Sequence, residues 1–182
     1  MQPKWRRTFF DNLDKYIFSS KIRVMENKKI IVVYYTRTGT TKKVAEAIAE
    51  NLKCEIEEIF DTASRKGIFG WLRSGRDAMR ERLTVIQDIK HNPASYDLVI
   101  MGTPVWGANL VPAIRTYINQ YKQNLKNIAF FCTADGDGIK TLEKLEKVVE
   151  RKPVFSFGVR SSEVKKGEYV QKVKELLGNV KI

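Results

Sequence analysis

Lys29-Ile30-Ile31-Val32-Val33-Tyr34-Tyr35-Thr36-Arg37-Thr38-Gly39-Thr40-Thr41 runs directly into Lys42-Lys43-Val44-Ala45-Glu46-Ala47-Ile48-Ala49. An apolar, β-prone run stops at a turn of threonines with one glycine, and an amphipathic helical pattern begins at once. The first helical turn leaves backbone N–H groups unpaired, the positive end of the helix dipole lies there, and several hydroxyls converge on the same point. Such a junction is an anion site, and its expected guest is a phosphate. Taken alone, the same residues also read as an ordinary β-to-α turn capped by threonine.

Working outward, Ile30–Tyr35 reads as a strand and Thr41–Leu52 as a helix with Val44, Ile48 and Leu52 on one face. Cys54–Phe60 alternates as a half-buried strand, and a long connection then holds a helix over Phe69–Arg82. Asp97–Met101 and Ile128–Cys132 are short, all-apolar strands of the kind buried in parallel sheets. Leu110–Tyr121, Ile139–Glu150 and Val164–Leu177 carry helical spacing, and Val154–Val159 is the last strand. Strands alternating with helices predict the α/β class, an open, doubly wound, five-stranded parallel sheet with right-handed crossovers. Ligands of such sheets bind beyond the carboxyl ends of the strands, near the switch point.

Three loops should meet at that edge. The first is Thr36–Thr41, the second is Gly102-Thr103-Pro104-Val105-Trp106-Gly107-Ala108-Asn109, and the third is Thr133-Ala134-Asp135-Gly136-Asp137-Gly138. Trp106 sits between Pro104 and Gly107, in a loop. It reads either as a lid on the core or, beside a phosphate site, as a stacking surface for a planar ligand. The glycines of the third loop let backbone approach a ring closely. A phosphate at one end and a flat ring at the other describe a mononucleotide such as FMN.

These loops and the order of elements resemble the flavodoxin family over residues 29–180. The resemblance implies strand order 2-1-3-4-5 and a tightly, non-covalently bound FMN. It implies that Thr36, Thr38, Gly39, Thr40 and Thr41 hold the phosphate, with Arg37 among them at a position that varies and faces water. It implies further that Trp106 packs on the isoalloxazine, and that Thr103, Pro104, Val105, Gly107 and Ala108 line the ring. Thr133, Ala134, Asp135, Gly136, Asp137 and Gly138 complete its edge. Val154–Val159 leads into the last helix without an insertion, as in short-chain members.

Two departures shape the expected function. Electron-carrier flavodoxins tend to be acidic and often sandwich the flavin between two aromatics; this chain has a formal charge of +12 and no aromatic in its third loop. A flavin with one open face has room for a nicotinamide, a quinone or another planar substrate. Fewer acidic neighbours would also raise the reduction potential above that of a typical carrier, although Asp135 and Asp137 work against this. The leading expectation is an FMN-dependent oxidoreductase that takes electrons from NAD(P)H or a protein donor and passes them to a small acceptor. The alternative is a one-electron carrier between protein partners, and a third reading is a module that has lost FMN. Positive charge favours an acidic redox partner protein, such as a ferredoxin or rubredoxin.

Composition bounds the rest. A chain of 182 residues, 43% hydrophobic, is large enough for one domain with a real core. No apolar run is long enough to span a bilayer. Cys54 and Cys132 make no disulfide framework and read as buried thiols in a cytoplasmic protein, with a redox role for Cys132 as the alternative. His91, the only histidine, is expected to be solvated, and its solitude argues against a histidine metal site or a His-based catalytic pair. Lys140, Glu143, Lys144, Glu146, Lys147, Glu150 and Arg151 mix signs along one helix, which reads as solvated surface and argues against nucleic acid as a partner.

Two segments stand apart. The connection Asp61–Tyr96 includes Gly67-Ile68-Phe69-Gly70-Trp71-Leu72-Arg73, read either as a helix covering the sheet or as a mobile lid using Trp71 or Arg73. Residues 1–28 form a basic, aromatic extension ahead of the domain at 29–182, and Met25 reads as a natural beginning for this fold. Eight basic and three acidic residues fall within 1–29, leaving +7 for the remainder. Trp5, Phe9, Phe10, Leu13, Ile17 and Phe18 could form an apolar stripe. That stripe fits an extension without essential function, a homodimer or docking contact, or an anionic membrane surface.

Overall fold

The computed structural model describes residues 28–63, 75–107, 109–136 and 138–179. The strand β1 (Ile30–Tyr34) is buried along its whole length, as a central strand covered on both faces must be. The helix α1 (Thr40–Leu52) follows, then β2 (Glu55–Glu58), β3 (Leu98–Pro104) and α2 (Pro112–Tyr121). Next come β4 (Asn127–Ala134), α3 (Ile139–Val149), β5 (Ser156–Arg160), α4 (Ser161–Lys166) and α5 (Tyr169–Asn179). The five strands pair in parallel in the order 2-1-3-4-5.

Alternate residues of the central strands feed two cores. Ile30, Val32, Leu98, Ile100 and Phe131 pack with α1, α4 and α5. Ile31, Val33, Val99, Met101 and Phe130 pack with α2 and α3 on the other face. This double winding puts the switch point between β1 and β3, whose following helices lie on opposite faces.

Several boundaries differ from the sequence reading for local reasons. Helix α2 begins at Pro112 instead of Leu110, because the residue before a proline is driven out of the α region; Val111 is extended at φ −71, ψ 145. The last helix is two, since Gly167 at φ 78 ends α4 before α5 starts. Lys172 Nζ reaches the buried Glu163 carboxylate at 2.9 and 3.0 Å and ties those two helices together. In β2 the inward residue is Glu57, not the exposed Ile56. Its carboxylate accepts the backbone N–H groups of Lys90 and, at 3.2 Å, His91. Cys54 precedes this ladder and is only half-buried, though burial still pushes its thiol up to about 11, against a backbone hydrogen bond that lowers it. Cys132 is buried in β4 as expected.

His91 is less solvated than expected, with its side chain 32% exposed. It is half-buried, with Nδ1 3.7 Å from Glu57 Oε2 and the ring edge-on to Tyr96. Of the helix expected over 69–82, residues 75–79 are helical, and 69–74 lie outside the described residues together with Trp71 and Arg73. That helical stretch closes as a Schellman motif: Glu81 sits at φ 54, its N–H donates to Ala78 C=O at 3.1 Å, and Arg82 N–H donates to Asp77 C=O at 3.0 Å. An antiparallel bridge between Asp61 and Ile86 was not foreseen. The apolar stripe of residues 1–27 lies outside the described residues, and among those described no helix is long and apolar enough to cross a membrane.

Gly102 shows how tightly the sheet is packed. A Cβ there would stand 2.1 Å from Phe131 Cζ, in a core with no room to yield. Gly102→Ala is expected to cost about 1–3 kcal/mol, the usual penalty for overpacking, read as a lowered urea midpoint with little change in slope.

Candidate functional site

At the carboxyl edge the three loops are bonded to one another. Thr41 Oγ1 and Thr133 Oγ1 are 2.8 Å apart and buried, which joins the start of α1 to the end of β4. Val105 N–H donates to Thr133 C=O at 3.0 Å, joining the second loop to the third. Tyr35 N–H donates to Gly102 C=O at 3.1 Å, and the Tyr35 ring meets Trp106 edge-on with centroids 5.6 Å apart, joining the first to the second.

The first loop folds on itself, with Gly39 N–H donating to Thr36 Oγ1 at 3.0 Å. Gly39 begins α1 in the left-handed region at φ 84, no side chain caps the helix, and its first turn contains no acid. Thr38 and Thr40 hydroxyls lie 3.4 Å apart at the mouth of this turn. A helix start lacking a cap and an acid, with hydroxyls around it, is short of an anion; these residues fit a phosphate group. Thr36, Gly39 and Thr40 are half-buried while Arg37 and Thr38 are exposed. Thr41 is buried with its hydroxyl committed to Thr133, so what it retains for an anion is its backbone N–H.

In the second loop Trp106 and Asn109 exchange backbone hydrogen bonds of 3.3 and 3.1 Å around a tight turn containing Gly107 at φ 58. Trp106 and Val105 are half-buried and pack against the core on the α2 side. Thr103 is buried, its hydroxyl donating to Pro104 C=O at 2.9 Å, and Pro104 ends β3. Ala108 lies outside the described residues.

In the third loop Ala134 is half-buried, Asp135 and Gly136 are exposed, and Asp137 lies outside the described residues. Gly138 starts α3 at φ 72, and a Cβ there would stand 2.2 Å from Cys132 Sγ. Only glycine meets both demands. The Cys132 thiol lies 3.7 Å from Gly138 C=O beneath the loop.

Sequence reasoning missed the groups that brace the second loop from behind. Asn109 Oδ1 accepts Leu110 N–H at 3.0 Å and Arg115 Nη2 at 3.2 Å, and Arg115 Nη2 reaches Glu81 Oε1 at 3.4 Å. This relay connects the Trp106 turn through α2 to the connection after β2. The spacing from Asn109 to Arg115 carries no motif, because their meeting depends on where α2 begins. Tyr34 lies at the end of β1, donating to Glu58 Oε2 at 3.0 Å. Burial and then that carboxylate hold its phenol well above the ordinary range, so it stays a donor. Among the described residues no group of three His, Cys, Asp or Glu side chains could hold a metal ion. The loops offer an anion seat, a half-exposed indole and close backbone.

Residues 29–158 match the sequence model of the flavodoxin family. No curated protein matches the chain. Among solved structures it is similar to a candidate flavoprotein from Bacteroides eggerthii, at 22% identity and a TM-score of 0.70, over 86% of this chain and 99% of that one. It is also similar to a flavoprotein from Lactobacillus acidophilus solved in complex with FMN, at 26% identity and a TM-score of 0.62, over 76% of this chain and 97% of that one. An apo NADH:FMN oxidoreductase shares the fold, at 16% identity and a TM-score of 0.52, over 84% of this chain and 88% of that one. With the family model spanning most of the chain, the strand order of that family, and three loops bonded around an anion seat, this protein belongs to the flavodoxin family, whose cofactor is FMN.

Proposed function

We propose that this protein is an FMN-dependent oxidoreductase, accepting electrons from a nicotinamide or a protein donor and delivering them to a small acceptor. The single observation that supports this reading best is the third loop. Asp135 and Gly136 are exposed, and no aromatic is present between Thr133 and Gly138 to cover the outer side of a ring lying against Trp106. FMN, when bound, supplies the electron chemistry, and the chain's own residues bind and orient it.

In this reading Thr36, Thr38 and Thr40 hydroxyls and the first backbone N–H groups of α1 hold the phosphate. Trp106, steadied edge-on by Tyr35, sets one wall of the ring site, and the backbone at Gly107 and Gly138 approaches the ring edge. No acid or base is required from a protein side chain, which suits a site without histidine. The likeness to an NADH:FMN oxidoreductase is one of fold and does not choose between this reading and that of a one-electron carrier. A specific observation favours the carrier as the second reading: exposed Met79 lies beside Gly107, at the rim of the same site.

Anaerobic titration of the FMN-reconstituted protein with NADH and NADPH separates the two. The oxidoreductase reading expects rapid loss of the oxidised-flavin absorbance in a single two-electron step. A flavin left oxidised by both nicotinamides but reduced by dithionite in two resolved one-electron steps would exclude a nicotinamide donor and favour the carrier reading. A second test addresses the loop junction. Thr41→Val leaves the Thr133 hydroxyl buried without its partner, at a cost of about 1–3 kcal/mol. It is expected to weaken FMN binding severalfold in a fluorescence titration, while Thr41→Ser, which keeps the hydroxyl, stays near wild type.

A further inference from the structure

The connection after β2 reaches the rim of the candidate FMN site and exposes both apolar and basic side chains there. Residues 75–79 form a helical stretch whose Asp77 and Ala78 are buried. Arg76, Met79 and Arg80 fall at i, i+3 and i+4 and share the outward face. All three are exposed, Met79 at 69%. A Cβ on Gly107 would stand 3.3 Å from Met79 Cγ, so this methionine lies directly against the tip of the second loop.

The surface continues along the chain. Thr84 is pinned inward, its N–H donating to Thr116 Oγ1 at 3.0 Å and its C=O accepting from the same hydroxyl at 3.1 Å. On either side of it Leu83 and Val85 are 54% and 70% exposed. Arg82 is exposed as well. Both acids of this stretch are ion-paired, the buried Asp77 to Arg82 of this same face at 3.6 Å and the exposed Glu81 to Arg115 of α2 at 3.4 Å. Met79, Leu83 and Val85 are thus exposed along a short stretch of chain that also carries Arg76, Arg80 and Arg82.

Single exposed apolar residues need no explanation, but several along one short basic stretch beside a functional site do. Methionine suits a surface that must adapt to another protein. The relay from Glu81 through Arg115 to Asn109 holds this face in register with the Trp106 turn, so whatever docks here meets a fixed rim.

We propose that this face is the docking site for an acidic redox protein, whose carboxylates meet Arg76, Arg80 and Arg82 while an apolar patch near its own cofactor covers Met79, Leu83 and Val85. The proposal rests on the reading that a protein donor serves the FMN site, and it deepens that reading by assigning the surface. Charge complementarity selects this occupant. The net charge of +12 draws an acidic partner from a distance, and the arginines orient it at the rim. Arginine is also the cation best suited to carboxylates at an interface, through its paired donors.

The test titrates the full-length, FMN-loaded, nitrogen-15-labelled protein with an acidic two-iron ferredoxin at 0.15 M salt, where distant charges are screened. Saturable shifts confined to residues 75–85 and the Gly107 turn are expected. Arg76→Glu with Arg80→Glu should weaken binding about tenfold or more, and Met79→Gln should weaken it as well. Lys165→Glu with Lys166→Glu on α4 removes the same charge from elsewhere on the molecule and should leave affinity within about twofold. The mutated positions are exposed, so near-ultraviolet circular dichroism is expected to remain native for every variant. Absence of saturable binding overturns the proposal, as does an equal loss from the two charge-reversed pairs. Nicotinamide reduction of a protein that binds no ferredoxin would overturn the docking face alone. Localised binding by a protein whose FMN accepts no electrons would uphold the face and sink the oxidoreductase reading.

Discussion

The site depends on one buried residue, Thr133. Its hydroxyl holds Thr41 at the first turn of α1, and its carbonyl holds Val105 at the head of the second loop. A parallel sheet delivers its loops to one edge but does not fix their spacing, since each loop leaves its strand independently. Here the last residues of β4 supply both a donor–acceptor side chain and a free carbonyl where three loops converge. Buried hydroxyls that satisfy each other in a low-dielectric interior are directional and costly to separate. The anion seat and the indole wall are therefore held at a set separation by the protein itself.

Glycine enforces the same geometry from a different direction. Gly39 and Gly138 open α1 and α3 in the left-handed region, so each helix starts directly from its loop and without a side-chain cap. The packing of Gly138 over Cys132 leaves no volume for a side chain, and the third loop is thereby kept flat against the sheet edge. Two uncapped helix starts at one edge form a local positive field made of backbone alone. It lies in a protein whose side chains are also net basic. An anionic cofactor satisfies both, which links the folding rules of the loops to the chemistry they host.

Much of this was legible in the sequence because the informative signals are local. The apolar runs of β1, β3 and β4, the threonine turn before Val44, and the Gly–Thr–Pro stretch before Trp106 each depend on neighbouring residues. Strand order followed from the family resemblance, and the alternation of elements agreed with it. What escaped were contacts between residues far apart in the chain. Glu57 facing inward in β2 looks wrong by hydrophobic pattern, and becomes sensible only when the backbone N–H groups of Lys90 and His91 arrive to meet it. The partial burial of His91 escaped for the same reason: it is created by β2 and Tyr96, not by its own polar loop. The Schellman closure at Glu81 escaped because a non-glycine residue occupies the left-handed position, with Arg115 of α2 beside its carboxylate.

That last case explains why the connection after β2 is built as it is. A loop between a strand and the next strand of a parallel sheet need only cross over, and a plain helix does so with its polar side in water. This one is instead fastened at Thr84 to Thr116 and at Glu81 to Arg115, both on α2, and it brings Met79 to Gly107. Fastening a loop at two points spends conformational entropy on ordering its backbone. If the segment served only to cover the sheet, its apolar side chains would turn inward, where burial would offset that cost. Ala78 is buried and Ile86 and Ile89 pack on the core, so part of the segment covers the sheet, but Met79, Leu83 and Val85 face solvent. The order of this segment is what the proposed docking rests on: a basic and apolar rim beside the candidate site.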